Sequence, residues 1–305
     1  MDSSTVLNCW LQALYYFYKM NANKTSGLSI LITGGTSGLG FELSKYFIGM
    51  GNRVYILGRK APESFPVNGG PRFIKIDFSD LRSTSEVIRK LAGELNGLDI
   101  IVNNAGVMSP PTFTASSDGI EYTYQVNWLS HLVINEILIR EGKLSPGAKI
   151  VSVTSPVYKY VKPGFRIHGP ENYSGFRAYA ESKYYMILTG RYLERVFPEN
   201  DFIFFSFDPG TFSSGIARMQ KGWFRKLYRI GAPFLRSPAR PASNLVEILR
   251  NDEIVNGAVY SSVKRMRREE RLLNEDRIEK FIEESKQLSS RFVFADSVET
   301  SVNCI

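Results

Sequence analysis

Cysteine is nearly absent from this 305-residue chain: Cys9 and Cys304, one near each end, are the two copies. Two thiols so far apart in sequence make neither a disulfide framework nor a metal site. They fit a reducing, intracellular compartment. Cys304 is second from last, so the four-residue prenylation signal is missing. Histidine is as scarce, with His131 and His168 alone, and no Cys/His/Asp/Glu spacing suggests a metal. Long apolar runs are missing as well. Residues 6–18 (VLNCWLQALYYFY) contain Asn8 and Gln12 and fall short of the ~20 residues that span a bilayer. No Lys or Arg precedes them, which argues against a signal peptide. Two readings stay open: an aromatic segment lying on a membrane, or a helix packed on the body of the protein. Repeats, low-complexity tracts and linkers are also lacking, which leaves one domain over 28–290, a segment 1–27 before it and a tail 291–305.

What is present is positive charge, +8 overall, and apolar residues at 43%. The charge asks for an anionic partner or surface. It gathers in 212–240, where Arg218, Lys221, Arg225, Lys226, Arg229 and Arg236 alternate with Trp223, Phe224, Tyr228 and Phe234 and no acid intervenes. No nucleic-acid recognition motif accompanies it, so nucleic acid is set aside. A substrate lid that touches the same bilayer surface as 6–18 is the expectation for this stretch.

From residue 28 short apolar runs alternate with helical patterns. Strands are expected at 28–33, 53–57, 72–76, 99–102, 149–154, 202–207 and 258–261, with helices over about 83–96 and 119–141 among those between them. The pattern predicts an α/β fold: a single Rossmann-type, doubly wound parallel sheet of about seven strands with helices on both faces. A long insertion rich in Tyr, Pro and Gly occupies 156–178.

The first strand runs into Gly34, Gly35, Thr36, Ser37, Gly38, Leu39 and Gly40, and a helix follows. Glycines let such a turn adopt positive φ and approach a pyrophosphate, which the helix N-terminus then holds. Arg59 follows the second strand, nineteen residues past Gly40, where a carboxylate would grip the ribose of NAD. A guanidinium suits a 2′-phosphate instead, so NADP(H) is the expected cofactor. Asp77, at the end of the third strand, is expected beside the adenine, or as a helix cap ahead of Leu81, or both.

Tyr179 and Lys183 stand at i and i+4, on one helix face. A free phenol titrates near ~10, and a neighbouring ammonium stabilises the phenolate and brings it toward working pH. Ser155, at the end of the fifth strand, offers a hydroxyl to a substrate oxygen where parallel sheets bind ligands.

Together these motifs resemble the short-chain dehydrogenase/reductase family over about 28–290. TGGTSGLG is similar to its TGxxxGxG loop, and Asn103, Asn104, Ala105 and Gly106 to its NNAG motif beside the adenosine. Asn127 matches the family's helix asparagine, which relays protons through an ordered water. Ser155, Tyr179 and Lys183 match its remaining catalytic positions. Pro209, Gly210 and Thr211 match the turn after the sixth strand, with Ser214 where a Thr usually contacts the carboxamide. The 156–178 spacing and the closing helix RIEKFIEESKQLSS resemble the retinol-dehydrogenase and carbonyl-reductase branch. Pro156, Ser214 and Phe281 depart from its pattern. The resemblance implies hydride transfer between NADP(H) and a lipophilic carbonyl or alcohol of retinoid, steroid or aldehyde type. It implies a place in the cytoplasm or on the cytosolic face of an endomembrane such as the endoplasmic reticulum. A catalytically silent NADP-binding regulator or scaffold is the alternative, and a homo-oligomer stays open. His131, four residues after Asn127 on the same helix, is expected to pack its helix, with a part in the water relay as the alternative.

Overall fold

The structure, a computed structural model, describes residues 26–62, 70–161, 167, 169–210, 237–251, 253–262, 265–267 and 274–294. Segment 6–18, His168, Thr211, Ser214 and most of 212–240 lie outside the described residues.

Eight strands form one sheet: β1 (Ser29–Thr33), β2 (Arg53–Gly58), β3 (Arg72–Lys75), β4 (Leu98–Asn103), β5 (Leu144–Val153), β6 (Phe202–Phe207), β7 (Val259–Ser262) and β8 (Arg265–Arg267). Their order is β3-β2-β1-β4-β5-β6-β7-β8. The first seven are parallel, and β8 pairs antiparallel with β7. β8 is one strand more than the sequence predicts. Its residues, Arg-Met-Arg, lack the apolar run that marks a central strand. The order reverses between β1 and β4, and ligands of open parallel sheets bind at the strand C-termini beside such a switch.

Helices α1 (Gly38–Gly49), α2 (Leu81–Glu94), α3 (Tyr122–Tyr124), α4 (Ser130–Arg140), α5 (Gly175–Val196), α6 (Ala239–Leu249) and α7 (Glu275–Val293) cover the sheet. α1 and α6 pack together on one face, where Leu39, Leu43, Phe47, Leu245 and Ile248 meet Ile30, Ile32, Ile56, Val151 and Phe205. The other face meets α2, α4 and α5, with α7 laid across them, around Trp128, Tyr185, Phe204 and Phe281. Alternate residues of β6 therefore serve opposite faces, as a strand buried on both sides requires.

Caps fix the helix starts. Asp80 accepts from Ser83 N at 3.0 Å to open α2, and Asn274 does the same for α7 with Arg277 N at 3.1 Å. Asp77 is not the cap; its carboxylate accepts from Ser79 N and Ser79 Oγ in a turn of its own. The helix expected over 119–141 is interrupted by a π-turn, Gln125–Leu129, between α3 and α4. Within the insertion, 3-10 turns form at Pro156–Tyr160 and Pro170–Asn172, and its last residues belong to α5. Similarly, Ala239 and Arg240 of the expected lid open α6. α7 runs on to Val293, where Phe292 and Val293 are buried and their carbonyls accept from Arg89 Nη2. Among the described residues, no helix is long and apolar enough to cross a membrane.

Candidate active site

β1 ends in Thr33, and the chain turns through Gly34 at φ 67° and Gly38 at φ 57° into α1. Ser37 precedes α1 without making a side-chain cap, so no hydroxyl closes off the helix N-terminus. Glycine at position 40 follows from a close approach. A Cβ there would stand 2.5 Å from both Asn104 Nδ2 and Gly34 O.

Asn104 Nδ2 donates to Thr33 O at 2.9 Å, and Thr33 Oγ1 accepts from Asn104 N at 2.8 Å and Ala105 N at 2.9 Å. The glycine turn and the segment after β4 are thus one shelf. Arg59 and Lys60 are exposed just past β2, and Asp77 is exposed just past β3, all at the same sheet end.

Asn127 sits in the π-turn, a local widening that often marks functional positions. Its Oδ1 accepts from Val107 N at 2.7 Å, and its Nδ2 donates to Val107 O at 2.9 Å and Ser182 Oγ at 3.1 Å. Ser182 Oγ donates to Tyr179 O at 2.8 Å. Asn127 therefore ties the end of the shelf to the helix that carries Tyr179.

α5 starts at a Ser174 cap and presents Tyr179 and Lys183 one turn apart. Lys183 is buried, and its Nζ donates to Val153 O at 3.0 Å. It is also 3.2 Å from where a Cβ on Gly106 would lie, with Asn127 Oδ1 3.3 Å from the same point. Glycine 106 thus leaves room for the ammonium and amide to converge. Burial pushes the Lys183 ammonium down to about 8. Thr154 Oγ1 donates to Lys183 O at 2.8 Å, which clamps the end of β5 to α5. Ser155 follows at once, half-buried, and opens the Pro156–Tyr160 turn. Pro156, unusual after that serine, takes the first position of this turn, where proline's missing N–H costs nothing.

Asp208, Pro209 and Gly210 close the floor. Asp208 Oδ1 accepts from Gly210 N at 3.0 Å, and Gly210 has φ 71°. Burial raises the Asp208 carboxyl, opposed by that N–H and by the charges of Lys159 and Arg267. Beside it a cavity of about 440 Å³ opens between the Ser155 turn and β7, with Tyr158, Lys159, Asp208, Tyr260 and Arg267 in its wall. Across the entrance, Tyr173 OH donates to Pro110 O at 2.9 Å and lies 3.3 Å from Glu121 Oε1, pinning the insertion to the chain after the shelf.

Glycines 34 to 40, the 104–106 shelf, Asn127, Ser155, Tyr179, Lys183 and the 209–210 turn therefore gather at the C-terminal ends of β1, β4, β5 and β6. Three residues take roles here that the sequence motifs do not assign: Thr33, the first residue of TGGTSGLG, as the shelf's anchor, Ser182 as the link from Asn127 to α5, and Asp208, just ahead of the 209–211 turn, as its brace. Among the described residues, no group of three His, Cys, Asp or Glu could hold a metal.

The short chain dehydrogenase family model matches residues 29–210. Retinol dehydrogenase 12 of Mus musculus is 28% identical over 252 residues, covering 79% of each chain. Retinol dehydrogenase 14 of Mus musculus is 30% identical over 240 residues, 72% of this chain and 68% of its own. A short chain dehydrogenase from Burkholderia cenocepacia, solved in complex with NADP, superposes with TM-score 0.59 at 23% identity over 78% of this chain and 97% of that one. A 3-ketoacyl-(acyl-carrier-protein) reductase from Brucella melitensis, complexed with NADH, gives 0.56 at 17% over 78% and 97%. The matched segment contains the glycine turn, the shelf, Asn127, Ser155, Tyr179 and Lys183. The chain belongs to the short-chain dehydrogenase/reductase family of oxidoreductases, on its retinol dehydrogenase-like branch.

Proposed function

We propose that the chain is an NADP(H)-dependent oxidoreductase of a lipophilic carbonyl or alcohol. The observation that carries the reading is a buried ammonium, Lys183, converging with Asn127 above Gly106, one helical turn from Tyr179. Such an arrangement costs stability, and a catalytic or cofactor-binding duty explains why it is kept.

The residues fit a nicotinamide dinucleotide. The uncapped N-terminus of α1 and the close-packed Gly34 and Gly40 suit its pyrophosphate. Arg59 suits a 2′-phosphate, and Asp77, exposed past β3, would meet the adenine edge. Ala105, Gly106, Pro209, Gly210, Thr211 and Ser214 would line the path to the nicotinamide ribose and carboxamide. When bound, the nicotinamide supplies or accepts the hydride.

The chain's own residues then handle the proton and the oxygen. Ser155 Oγ donates a hydrogen bond to the substrate oxygen. Tyr179 delivers a proton to that oxygen during reduction and takes it back during oxidation. The Lys183 ammonium lowers the proton affinity of the phenol and holds the ribose. Asn127 spends its side chain on Val107 and Ser182, and its main-chain oxygen, which already faces His131 Nδ1 at 3.0 Å, would hold the relay water through its second lone pair.

The aromatic entrance supports a lipophilic substrate. Tyr160 and Phe176 are 76% and 61% exposed, with ring centroids 6.4 Å apart, and they flank Ser155 and Tyr179 in sequence. Peripheral contact of 6–18 and 212–240 with a bilayer would suit such a substrate, and liposome flotation with and without residues 1–24 tests it. The catalytic reading is tested with Tyr179→Phe in a panel of aldehydes and ketones. Turnover with NADPH should fall by about 10²–10⁴ while the cofactor still binds. Retained turnover would refute the assignment.

A further inference from the structure

His131 is buried on α4, and its two ring nitrogens reach opposite ends of the site. Nδ1 lies 3.0 Å from the main-chain oxygen of Asn127. Nε2 lies 2.9 Å from Thr33 Oγ1. Phe78 covers the ring, with centroids 5.8 Å apart.

Proton counting leaves one arrangement. A carbonyl can only accept, so Nδ1 carries a proton. The Thr33 hydroxyl already accepts from Asn104 N and Ala105 N, which occupy its two lone pairs. It has one proton to give, and Nε2 at 2.9 Å is nearer than Val102 O at 3.3 Å. A proton on Nε2 would face a hydroxyl with no lone pair left. The ring is therefore neutral with its proton on Nδ1. Burial and the neighbouring Lys183 charge hold its pKa down at about 3.

We propose that His131 is a positioning residue for the cofactor, aiming the Thr33 hydroxyl at the Asn104 and Ala105 amides and tethering the Asn127 π-turn to the same shelf. It touches no substrate and moves no proton. It aligns the glycine turn, the 104–106 shelf and the π-turn before cofactor arrives, so less ordering remains to be done on binding. The inference rests on the cofactor site proposed above.

The test reads the ring and the binding separately. With two histidines in the chain, ring ¹⁵N labelling of the full protein yields two ring spin systems, and His131→Gln identifies which is which. The His131 ring should stay neutral, with its proton on Nδ1, from pH 5 to 8. A ring that titrates in that window, or one protonated on Nε2, would overturn the proposal whether or not any variant folds.

NADPH dissociation constants then follow for the wild type, His131→Leu, His131→Gln, Thr33→Val and the Thr33→Val/His131→Leu pair. The leucine variant should bind about tenfold more weakly, the scale of one lost buried hydrogen bond. Glutamine, which keeps one donor and one acceptor, should recover most of the loss. The double variant should bind no more weakly than the weaker single one, because both remove the same link. Unchanged NADPH affinity with a lowered Tm would reduce His131 to packing and overturn the proposal, as would multiplicative effects in the pair. A wild type that fails to bind NADPH would instead overturn the cofactor reading itself.

Discussion

Replacing Lys183 by methionine should make the cofactor-free protein more stable and inactive. The ammonium is buried, and its Nζ donates to the Val153 carbonyl at 3.0 Å. Its pKa falls from an ordinary 10.5 to about 8, through burial. Each tenfold change in proton affinity is worth 1.36 kcal/mol, so keeping the buried group charged at pH 7 costs about 3 kcal/mol. Methionine has nearly the same volume and no charge to desolvate, but it forfeits the bond to Val153 O, worth about 1 kcal/mol. A net gain of about 2 kcal/mol is expected at pH 7. The pH dependence follows from the lowered value. Below about 8 the amine is charged in both states and the folded state bears the whole penalty. Between about 8 and 10.5 the folded protein sheds the proton before the unfolded chain does, and the penalty fades. Urea unfolding of wild type and Lys183→Met at pH 7 and pH 9.5, without cofactor, reads this directly. The variant's advantage should shrink by about 2 kcal/mol between the two conditions. A variant less stable than wild type at pH 7, or an advantage that ignores pH, would refute the reasoning.

Gly40→Ala should weaken NADPH binding at least tenfold, because its Cβ would stand 2.5 Å from Asn104 Nδ2 and from Gly34 O; fluorescence titration measures it, and the overpacking should cost about 1–3 kcal/mol of stability. Arg59→Asp should lower the ratio of kcat/KM with NADPH to that with NADH by about 10²-fold, since a charge-assisted bond is lost and repulsion gained. Glu136→Leu should destabilise the fold by about 2–4 kcal/mol in urea, because the buried carboxylate accepts from Tyr192 OH at 2.7 Å and from Ser289 Oγ, joining α4, α5 and α7.

Much of this molecule can be read before it folds, and the exceptions share a cause. Strand β6 runs over 202–207 as the sequence predicts, because FIFFSF is apolar enough for a strand buried on both faces. The glycine turn and the Tyr179/Lys183 pair are local patterns, so their presence needs no tertiary information. Asp77 and Asp80 are equally good caps by composition, and the path of the chain after β3 decides for Asp80. β8 exists because an edge was available, and nothing in Arg-Met-Arg announces it. The π-turn is invisible because QVNWL suits a regular helix as well. His131 reads as a packing residue until β1 and the π-turn are brought to opposite sides of its ring. Roles fixed by two distant partners are the ones that sequence spacing cannot express.

The central claim is that this site passes a hydride to a carbonyl carbon, and following the hydrogen tests it most directly. NADPH deuterated at the nicotinamide C4, on one face and then the other, is incubated with the wild-type chain and a lipophilic aldehyde or ketone. One labelled face should place a single deuterium on the new carbinol carbon, and the opposite face should place none. Cofactor that binds yet leaves the carbonyl unreduced, or is oxidised without deuterium reaching that carbon, would contradict the account and favour a catalytically silent NADP-binding protein.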